Sequence, residues 1–230
     1  MIGIIGAMEV EVSILKEKMQ DVEIIKKASM EFNKGKMHDK DIVVVRSGIG
    51  KVNAAVCAQV LADEFKVDAI INTGIAGSLK NEINIGDIVL SEDALQHDMD
   101  ATGFGYEAGV IPQMDESVFK GDKNLIEKAK NVCEKDISEI NVFVGRVVSG
   151  DQFIDSQEVK DSLISKFNGY CAEMEGAAIA QTAYLNNIPF LIVRAISDKA
   201  DNSANMDYET FEQMAVANSV KLIEGMVKLI

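Results

Sequence analysis

The chain has 230 residues, 47% hydrophobic and 26% charged, a balance that fits one globular α/β domain over residues 1–230. Its formal net charge of -14 and pI near 4.6 would repel phosphate backbones and anionic lipid headgroups. Nucleic acid and membrane surfaces are therefore not expected as partners, and a small neutral or zwitterionic ligand fits better.

In chain order, short apolar runs alternate with segments of helical periodicity. The runs cover residues 1–6, 41–48, 68–74, 86–92, 141–150 and 189–197, and their length and β-branched content predict buried strands. The helical patterns cover residues 9–19, 52–65, 123–134, 156–167, 176–185 and 207–229. Strands that alternate with helices predict a largely parallel sheet covered on both faces.

Residues 22–39 interrupt this succession of strands and helices, because they are more polar and their polar and apolar residues alternate. Asp39 and Lys40 stand where a hairpin turn would join residues 31–38 to residues 42–46. The sheet is therefore predicted to be mixed. The glycine-terminated carboxyl ends of its strands are where ligands are expected to bind.

The three cysteines, Cys57, Cys133 and Cys171, are widely spaced, and no CxxC pair suggests a zinc or redox site. We expect them to be reduced core residues. Residues 1–7 carry no basic segment, and no apolar stretch approaches the roughly 20 residues of a membrane span, so a cytoplasmic protein is expected.

The segment Gly48, Ile49, Gly50 and Lys51 resembles a phosphate loop but fails two tests. A P-loop needs Ser or Thr after the Lys, and a dinucleotide fingerprint needs a third Gly at position 53, where Asn stands. We interpret the segment as a place where backbone approaches a ligand, at the start of the helix that begins near residue 52.

Carboxylates are the candidate catalysts, because the two histidines, His38 and His97, support neither a metal cluster nor a Ser-His relay. Glu9 and Glu11 open the first helix, where the helix dipole favours negative charge, and a purely structural role is the simpler interpretation of position alone. No metal is expected.

Two further acidic features lie later in the chain. Glu173 and Glu175, two residues apart, would point to opposite sides of an extended segment, so at most one faces a given ligand; solvated charge is an equal alternative. Asp198 ends an apolar strand that carries Arg194, which makes it a site candidate. An ion pair between Arg194 and an acidic neighbour is the structural alternative.

Six sequence blocks occur in one order along the whole chain: residues 3–11 (GIIGAMEVE), 47–52 (SGIGKV), 72–74 (NTG), 149–154 (SGDQFI), 173–175 (EME) and 193–198 (VRAISD). Together they resemble the 5'-methylthioadenosine/S-adenosylhomocysteine nucleosidases. The resemblance implies a three-layer nucleoside phosphorylase-like α/β fold with a central mixed sheet flanked by helices. It also implies hydrolysis to adenine and a thioribose, in methionine salvage and biosynthesis, with no cofactor and with 5'-deoxyadenosine as a further substrate.

The resemblance also implies roles for individual residues. Glu11 matches the carboxylate that activates water, and Asp198 matches the acid that protonates adenine N7. Glu175 matches the residue that grips the ribose hydroxyls, Met174 packs beside the sugar, and Arg194 helps to order the water. The remaining matches are Phe153, which stacks on adenine; the backbone of Ile154, which reads its Watson-Crick edge; Met8, Ile49 and Tyr208 around the 5'-alkylthio group; and Gly77 and Ser197 in the substrate pocket.

In the family this pocket is closed by the partner subunit of a homodimer, and the matching residues here are Ala101, Phe104, Tyr106 and Pro112. One departure stands beside these matches. The position after the NTG block is often a Ser that hydrogen-bonds the catalytic Asp, and here it is Ile75. Asp198 must then be oriented by backbone groups or by Ser197.

The chemistry suits these residue types. Breaking an N-glycosidic bond through an oxocarbenium-like transition state needs an acid at the base and a positioned water at the sugar. Asp198 can serve near neutral pH only if burial raises its pKa, whereas an ionised Glu11 would take the proton from water.

Three alternatives remain open at this stage. A purine nucleoside phosphorylase of the same fold would need cationic anchors for phosphate, yet the chain has only Arg46, Arg146 and Arg194 as arginines. A futalosine hydrolase of the same fold would act on a different nucleoside. A nucleoside-binding sensor would have lost the acid or the base, and both Glu11 and Asp198 are present.

Overall fold

The chain folds around a mixed β-sheet, and the structure, a computed structural model, describes residues 1–137 and 139–230. The strands are β1 Ile2–Gly6, β2 Gln20–Lys27, β3 Met30–Met37, β4 Lys40–Arg46, β5 Ala69–Ser78, β6 Ile88–Gln96, β7 Phe119–Lys120, β8 Val142–Ser149, β9 Cys171–Glu173 and β10 Phe190–Asp198. The helices are α1 Glu9–Glu17, α2 Lys51–Val60, α3 Lys123–Asp136, α4 Gln157–Phe167, α5 Gly176–Leu185 and α6 Ala204–Leu229. A π-helical turn, Leu61–Phe65, extends α2, and a 3-10 turn, Thr102–Phe104, follows β6.

Every predicted strand and helix is present, with ends displaced by a few residues. The structure adds β2, β7 and β9, which the sequence did not predict. The mixed sheet flanked by helices is also confirmed: β1 is parallel to β4 and β5, and β10 is parallel to β5, whereas β10 is antiparallel to β6 and β2–β3–β4 are antiparallel.

The predicted hairpin between β3 and β4 exists, but its turn is His38 and Asp39, one residue earlier than expected. Both residues have positive φ, 48° and 62°, as a two-residue turn that matches strand twist requires. Lys40 already pairs with Met37, so it belongs to β4 and not to the turn. The prediction was wrong because it relied on the polar character of Asp39 and Lys40. The positive φ angles that the turn requires belong to His38 and Asp39.

The sheet order is β10-β6-β8-β9-β5-β1-β4-β3-β2, with an additional pairing between β10 and β5. Because of that pairing, β10, β6, β8, β9 and β5 form a closed circuit, and the remaining strands extend from β5 as an open sheet. The parallel strands β1, β5 and β10 direct their carboxyl ends to the same edge, where the loops before α1 and α6 meet.

Two apolar cores separate the three layers. One packs α1, α3 and α6 on one face of the sheet, around buried residues such as Leu15, Ala129 and Leu222. The other packs α2 and α5 on the opposite face, around Cys57, Ala58 and Ile179. A third cluster joins α4 to the ends of β5, β6 and β8.

The cysteines are free and buried, as expected: Cys57 on α2, Cys133 on α3 and Cys171 on β9. Burial raises the pKa of all three thiols, so they remain protonated near neutral pH. Among residues 1–137 and 139–230, no helix is both long and apolar enough to cross a membrane.

Candidate active site

A cavity of about 360 Å³ lies at the carboxyl ends of β1, β5 and β10, where the sheet predicted a ligand site. It is lined by the β1–α1 loop, the ends of β5 and β10, residues 152–154 after β8, residues 172–175 before α5, and the start of α6. The structure brings the following predicted residues together in its wall: Met8, Glu11, Ile49, Gly77, Phe153, Ile154, Met174, Glu175, Ser197, Asp198 and Tyr208.

Glu11 is the third residue of α1, and its side chain turns back toward the end of β1. One carboxylate oxygen accepts hydrogen bonds from the backbone N–H groups of Ala7 (2.7 Å) and Met8 (2.9 Å). The other accepts from the N–H of Ile75 on β5 at 3.2 Å. Burial raises the pKa of Glu11, while Arg194 and these three donors oppose the rise. A buried carboxylate fixed by three donors is oriented to accept a proton from a molecule in the cavity.

Asp198 is the last residue of β10 and is almost fully buried. The register of β10 against β5 shifts between Ile196 and Asp198, and Asp198 lines the cavity at this irregularity. Gly77 faces it, and a Cβ there would lie 2.7 Å from Asp198 Oδ1. Gly77 therefore makes room for the carboxyl group.

The orientation of Asp198, left open by Ile75, is now explained. The Ser197 hydroxyl donates to Asp198 Oδ2 at 2.8 Å, and the Ala200 N–H donates to Oδ1 at 2.8 Å. Burial raises the pKa of Asp198, as an acid working near neutral pH requires, and these two hydrogen bonds partly oppose the rise. The expectation that backbone or Ser197 replaces the missing Ser hydroxyl is confirmed.

Arg194 does not line the cavity but lies behind it, fully buried on β10. Its Nη2 donates to Glu173 Oε2 and to Asn72 Oδ1 (2.7 Å), and it is 3.8 Å from Glu175 Oε2. Burial alone would lower the pKa of Arg194, but Glu173, Glu175 and Glu11 together raise it. The ion pair considered as a structural alternative is therefore present.

The expectation that at most one of Glu173 and Glu175 faces a ligand was wrong. Both are buried and both line the cavity. Strand alternation does not apply to them: β9 ends at Glu173, and Glu175 already caps α5 with φ -136° and ψ -40°. Glu173 accepts from Ser149 Oγ and from the N–H groups of Glu175 (3.1 Å) and Gly176 (2.8 Å). Burial and the neighbouring Glu173 raise the pKa of Glu175 to about 7, with Arg194 opposing.

Glu173 is a residue of the cavity wall that the sequence analysis considered but to which it gave no role. A signal was present: a Glu between a predicted strand end and a helix start rich in small residues needs a buried partner, and Arg194 needed one too.

The opposite wall of the cavity is aromatic and apolar. The rings of Phe153 and Tyr208 meet edge to face, with centroids 6.0 Å apart. The Tyr208 hydroxyl donates to Glu212 Oε1 at 2.9 Å and lies 3.4 Å from Met8 Sδ. Phe153 remains 45% exposed, so one part of its surface is open to a flat ligand.

The Gly48–Lys51 segment approaches the site, but its backbone binds a side chain. Gly50, with φ 95°, precedes α2 and donates its N–H to Glu175 Oε1 at 2.8 Å, while Ile49 lines the cavity. The helix begins at Lys51, whose N–H is held by Asp151 at 2.8 Å.

The residues expected to come from a partner subunit lie apart from this chain's own cavity. Ala101, Phe104, Tyr106 and Pro112 belong to the segment after β6, and none lines the cavity within the described part of the chain. Phe104 is 89% exposed, whereas Ala101 is buried.

The similarity to known proteins extends over nearly the full chain. Residues 1–228 match the phosphorylase superfamily. A 5'-methylthioadenosine/S-adenosylhomocysteine nucleosidase of Staphylococcus aureus is 46% identical over 228 residues, which cover 99% of this chain and 99% of the relative. The nucleosidase of that name from Neisseria meningitidis, solved with methylthio-immucillin-A, superposes with a TM-score of 0.96 at 39% identity, covering 100% of this chain and 99% of that one. A futalosine hydrolase of Helicobacter pylori superposes with a TM-score of 0.94 at 34% identity, covering 100% and 97%.

Proposed function

Since the chain belongs to the phosphorylase superfamily and, within it, to the 5'-methylthioadenosine/S-adenosylhomocysteine nucleosidases, we propose that its cavity hydrolyses the N-glycosidic bond of these two nucleosides. The products are adenine and the corresponding thioribose, 5-methylthioribose or S-ribosylhomocysteine. The chain is thus a hydrolase acting on N-glycosidic bonds, and 5'-deoxyadenosine is a further proposed substrate.

Asp198 is the proposed general acid. Departure of adenine leaves negative charge on the base, and protonation at N7 removes it. Burial raises the pKa of Asp198, which favours the protonated form that a general acid needs, and Ser197 and Ala200 fix the direction of its carboxyl group.

Glu11 is the proposed base. It lies in the same cavity but in unlike surroundings, held by three backbone N–H groups and facing the charge of Arg194. Two carboxyl groups in different environments can divide the acid and base roles. Glu11 would align a water and take its proton as the sugar becomes cationic.

Glu175 is proposed to bind the ribose hydroxyls, with Met174 packed beside the sugar. A carboxylate there stabilises the cationic sugar, so its contribution grows in the transition state. The open face of Phe153 suits adenine, the backbone of Ile154 reads the edge of the base, and Met8, Ile49 and Tyr208 surround the 5'-alkylthio group.

One observation carries the choice of water over phosphate: within the described residues, no Lys, Arg or His lines the cavity. Arg194 lies behind the wall, where Glu173, Glu175 and Glu11 surround it, and Arg146 is bound to Asp93 at 2.7 Å. A multiply charged phosphate needs several fixed donors to offset its lost hydration, and three carboxylates repel it. A neutral water is favoured by the same charges.

Futalosine hydrolysis is the second candidate, because a structure of that name from Helicobacter pylori is among those most similar to the chain. We further propose that the protein acts as a cytoplasmic homodimer in methionine salvage. The exposed Phe104 ring, beside Tyr106 in the segment expected to close a partner's pocket, supports the dimer.

The test is adenine release by the purified protein in phosphate-free buffer. Methylthioadenosine, S-adenosylhomocysteine, 5'-deoxyadenosine and futalosine are compared at equal concentration, with Glu11→Gln as the inactive control. We expect the first two to be cleaved most rapidly. Binding of methylthioadenosine without cleavage would identify a sensor, and preferential cleavage of futalosine would identify the second candidate.

A further inference from the structure

A second cavity of about 570 Å³ lies beside the first, and both share Ala7, Met8 and Ile49 as a common wall. Met8 and Ile49 are two of the residues proposed to surround the 5' substituent. The second cavity therefore begins where the 5' end of a bound nucleoside would leave the first.

The two cavities differ in chemistry. The outer wall of the second cavity carries two cations, Arg46 and Lys16, and two carboxylates, Glu9 and Glu31. Glu9 is already bound to Lys16 at 2.8 Å and lies 3.8 Å from Arg46 Nε. Glu31 is bound in the same way to Lys26 at 2.8 Å. The lining of the cavity thus carries both signs of charge.

Arg46 is the charged group of this cavity that has unused hydrogen-bond donors. It ends β4, is 58% exposed, and its terminal nitrogens Nη1 and Nη2 make no hydrogen bond within residues 1–137 and 139–230. Two parallel N–H donors of a guanidinium match the two oxygens of a carboxylate. Arg46 pairs in register with Gly6, two residues before Met8, so it lies close to the shared wall.

We propose that the second cavity is the subsite for the amino-acid tail of S-adenosylhomocysteine, with Arg46 binding the α-carboxylate and Glu9 and Glu31 receiving the α-ammonium. This inference rests on the proposed function. The tail is a zwitterion that continues from the 5' sulfur past Met8 and Ile49. Methylthioadenosine ends at a methyl group on that sulfur, so it makes no contact with Arg46.

The subsite consequently distinguishes the two substrates. Contacts with the tail contribute to binding of S-adenosylhomocysteine alone, while the chemistry at Glu11 and Asp198 is common to both. Because Arg46 is more than half exposed, its contribution is screened by water and salt, and a moderate effect is expected.

The experiment measures kcat/KM of Arg46→Gln with three substrates: S-adenosylhomocysteine, its decarboxylated analogue S-adenosyl-3-thiopropylamine, and methylthioadenosine. We expect a loss of roughly two- to tenfold for S-adenosylhomocysteine, carried by KM, and less than twofold for the other two. Lys27→Gln is the matched control: Lys27 ends β2 in register with Met30 of the cavity lining, but it pairs with Glu64 and does not line the cavity itself.

Raising the ionic strength should increase the KM of the wild-type protein for S-adenosylhomocysteine and leave that for methylthioadenosine unchanged. An equal loss of kcat/KM on all three substrates, or no loss on S-adenosylhomocysteine, would overturn the proposed subsite. The proposed nucleosidase activity would be unaffected by either result. Absence of adenine release from every substrate by the wild-type protein would instead overturn the proposed function.

Discussion

At the scale of single residues, the main feature of the site is its excess of acidic groups. Three carboxyl groups, those of Glu11, Glu173 and Glu175, surround one buried guanidinium, that of Arg194. One cation cannot contact three buried carboxyl groups equally. Glu173 binds Arg194 directly and accepts a hydrogen bond from the backbone N–H of Gly176. Glu175, farther from Arg194, has a pKa raised to about 7.

The sequence assigned roles to Glu11, Glu175 and Asp198 because they stand in blocks that resemble a family. Glu173 stands in the same block as Glu175 but received no role, because the inference used the two-residue period of a strand at a point where the chain turns into a helix. Neither the burial of Glu173 nor the approach of Arg194 from β10 is visible in local sequence spacing. Ser197, by contrast, adjoins Asp198 in the chain, and its role could be inferred.

The first prediction concerns Asp198. Asp198→Asn keeps the shape and burial of the side chain but cannot protonate adenine, so turnover of methylthioadenosine should fall more than about 1000-fold. Circular dichroism and binding of adenine should stay close to wild type. The exposed Asp161→Asn on α4 is the matched control and should keep full activity. Turnover within tenfold of wild type would show that Asp198 is not the acid.

The second prediction is a linkage between pH and stability at Glu175. Its pKa rises from 4.5 to about 7 on folding, so the folded state holds this proton more tightly than the unfolded state. The stability from this group is complete below pH 4.5 and is lost as the pH rises through 7. Glu175→Gln has no proton to lose, and the decrease in unfolding free energy between pH 5 and pH 8 should be smaller by on the order of 1–3 kcal/mol.

Urea unfolding at fixed protein concentration measures this difference. The exposed Glu23→Gln on β2 should decline with pH as the wild type does. An equal decline in Glu175→Gln would mean that Glu175 titrates at its ordinary pKa in the folded protein.

At the scale of elements, contacts between strands fix the positions of the proposed catalytic residues. Apolar runs predicted the strands β1, β5 and β10 because buried parallel strands are nearly continuous in hydrophobicity. The three-residue strand β9 was not predicted, because three residues carry no usable period. Closure of the sheet through β5 and β10 was also not predicted, because it depends on pairing between strands distant in the chain.

The third prediction concerns Gly74, which lies opposite Arg194 in the register of β5 and β10. A Cβ at Gly74 would overlap Arg194 Nη1 and lie 2.6 Å from Glu11 Oε1. Gly74→Ala should therefore displace both groups and lower kcat by about 100-fold, since small displacements of positioned groups are costly in rate. Steady-state kinetics with methylthioadenosine provides the measurement.

Gly3→Ala on β1 is the matched control, because its Cβ would lie 2.8 Å from Leu61 Cδ1 in the core and touch no carboxyl group of the site. It should lower the melting temperature and leave kcat within about threefold of wild type. If both variants lose activity equally, strain in the sheet explains the loss, and displacement of Arg194 and Glu11 does not.

At the scale of the whole molecule, the strongly acidic chain still exposes large apolar side chains, including Val52 and Val56 on α2 and Phe104 after β6. Contiguous exposed apolar surface is typical of contact with another protein, and we propose that these side chains contribute to one such contact. The sequence proposed a homodimer from resemblance alone, and position and exposure now supply a physical reason for the same proposal.

The fourth prediction is that the active form is a dimer that depends on this surface. Phe104→Glu should shift the sedimentation coefficient toward that of a 25.0 kDa monomer and reduce turnover of methylthioadenosine by more than about tenfold. Ile24→Glu is the matched control, because Ile24 is an exposed apolar residue of β2. Phe143 would not serve, because it packs against the core. A fully active monomer at assay concentration would contradict the dimer.

The central claim is that the acidic cavity selects water as the nucleophile although the superfamily is named for phosphorolysis. The most direct measurement follows the products of methylthioadenosine cleavage over a series of phosphate concentrations at constant ionic strength. We predict adenine and methylthioribose at a rate independent of phosphate, because Glu11, Glu173 and Glu175 repel the anion. Methylthioribose 1-phosphate that increases with phosphate concentration would contradict the account.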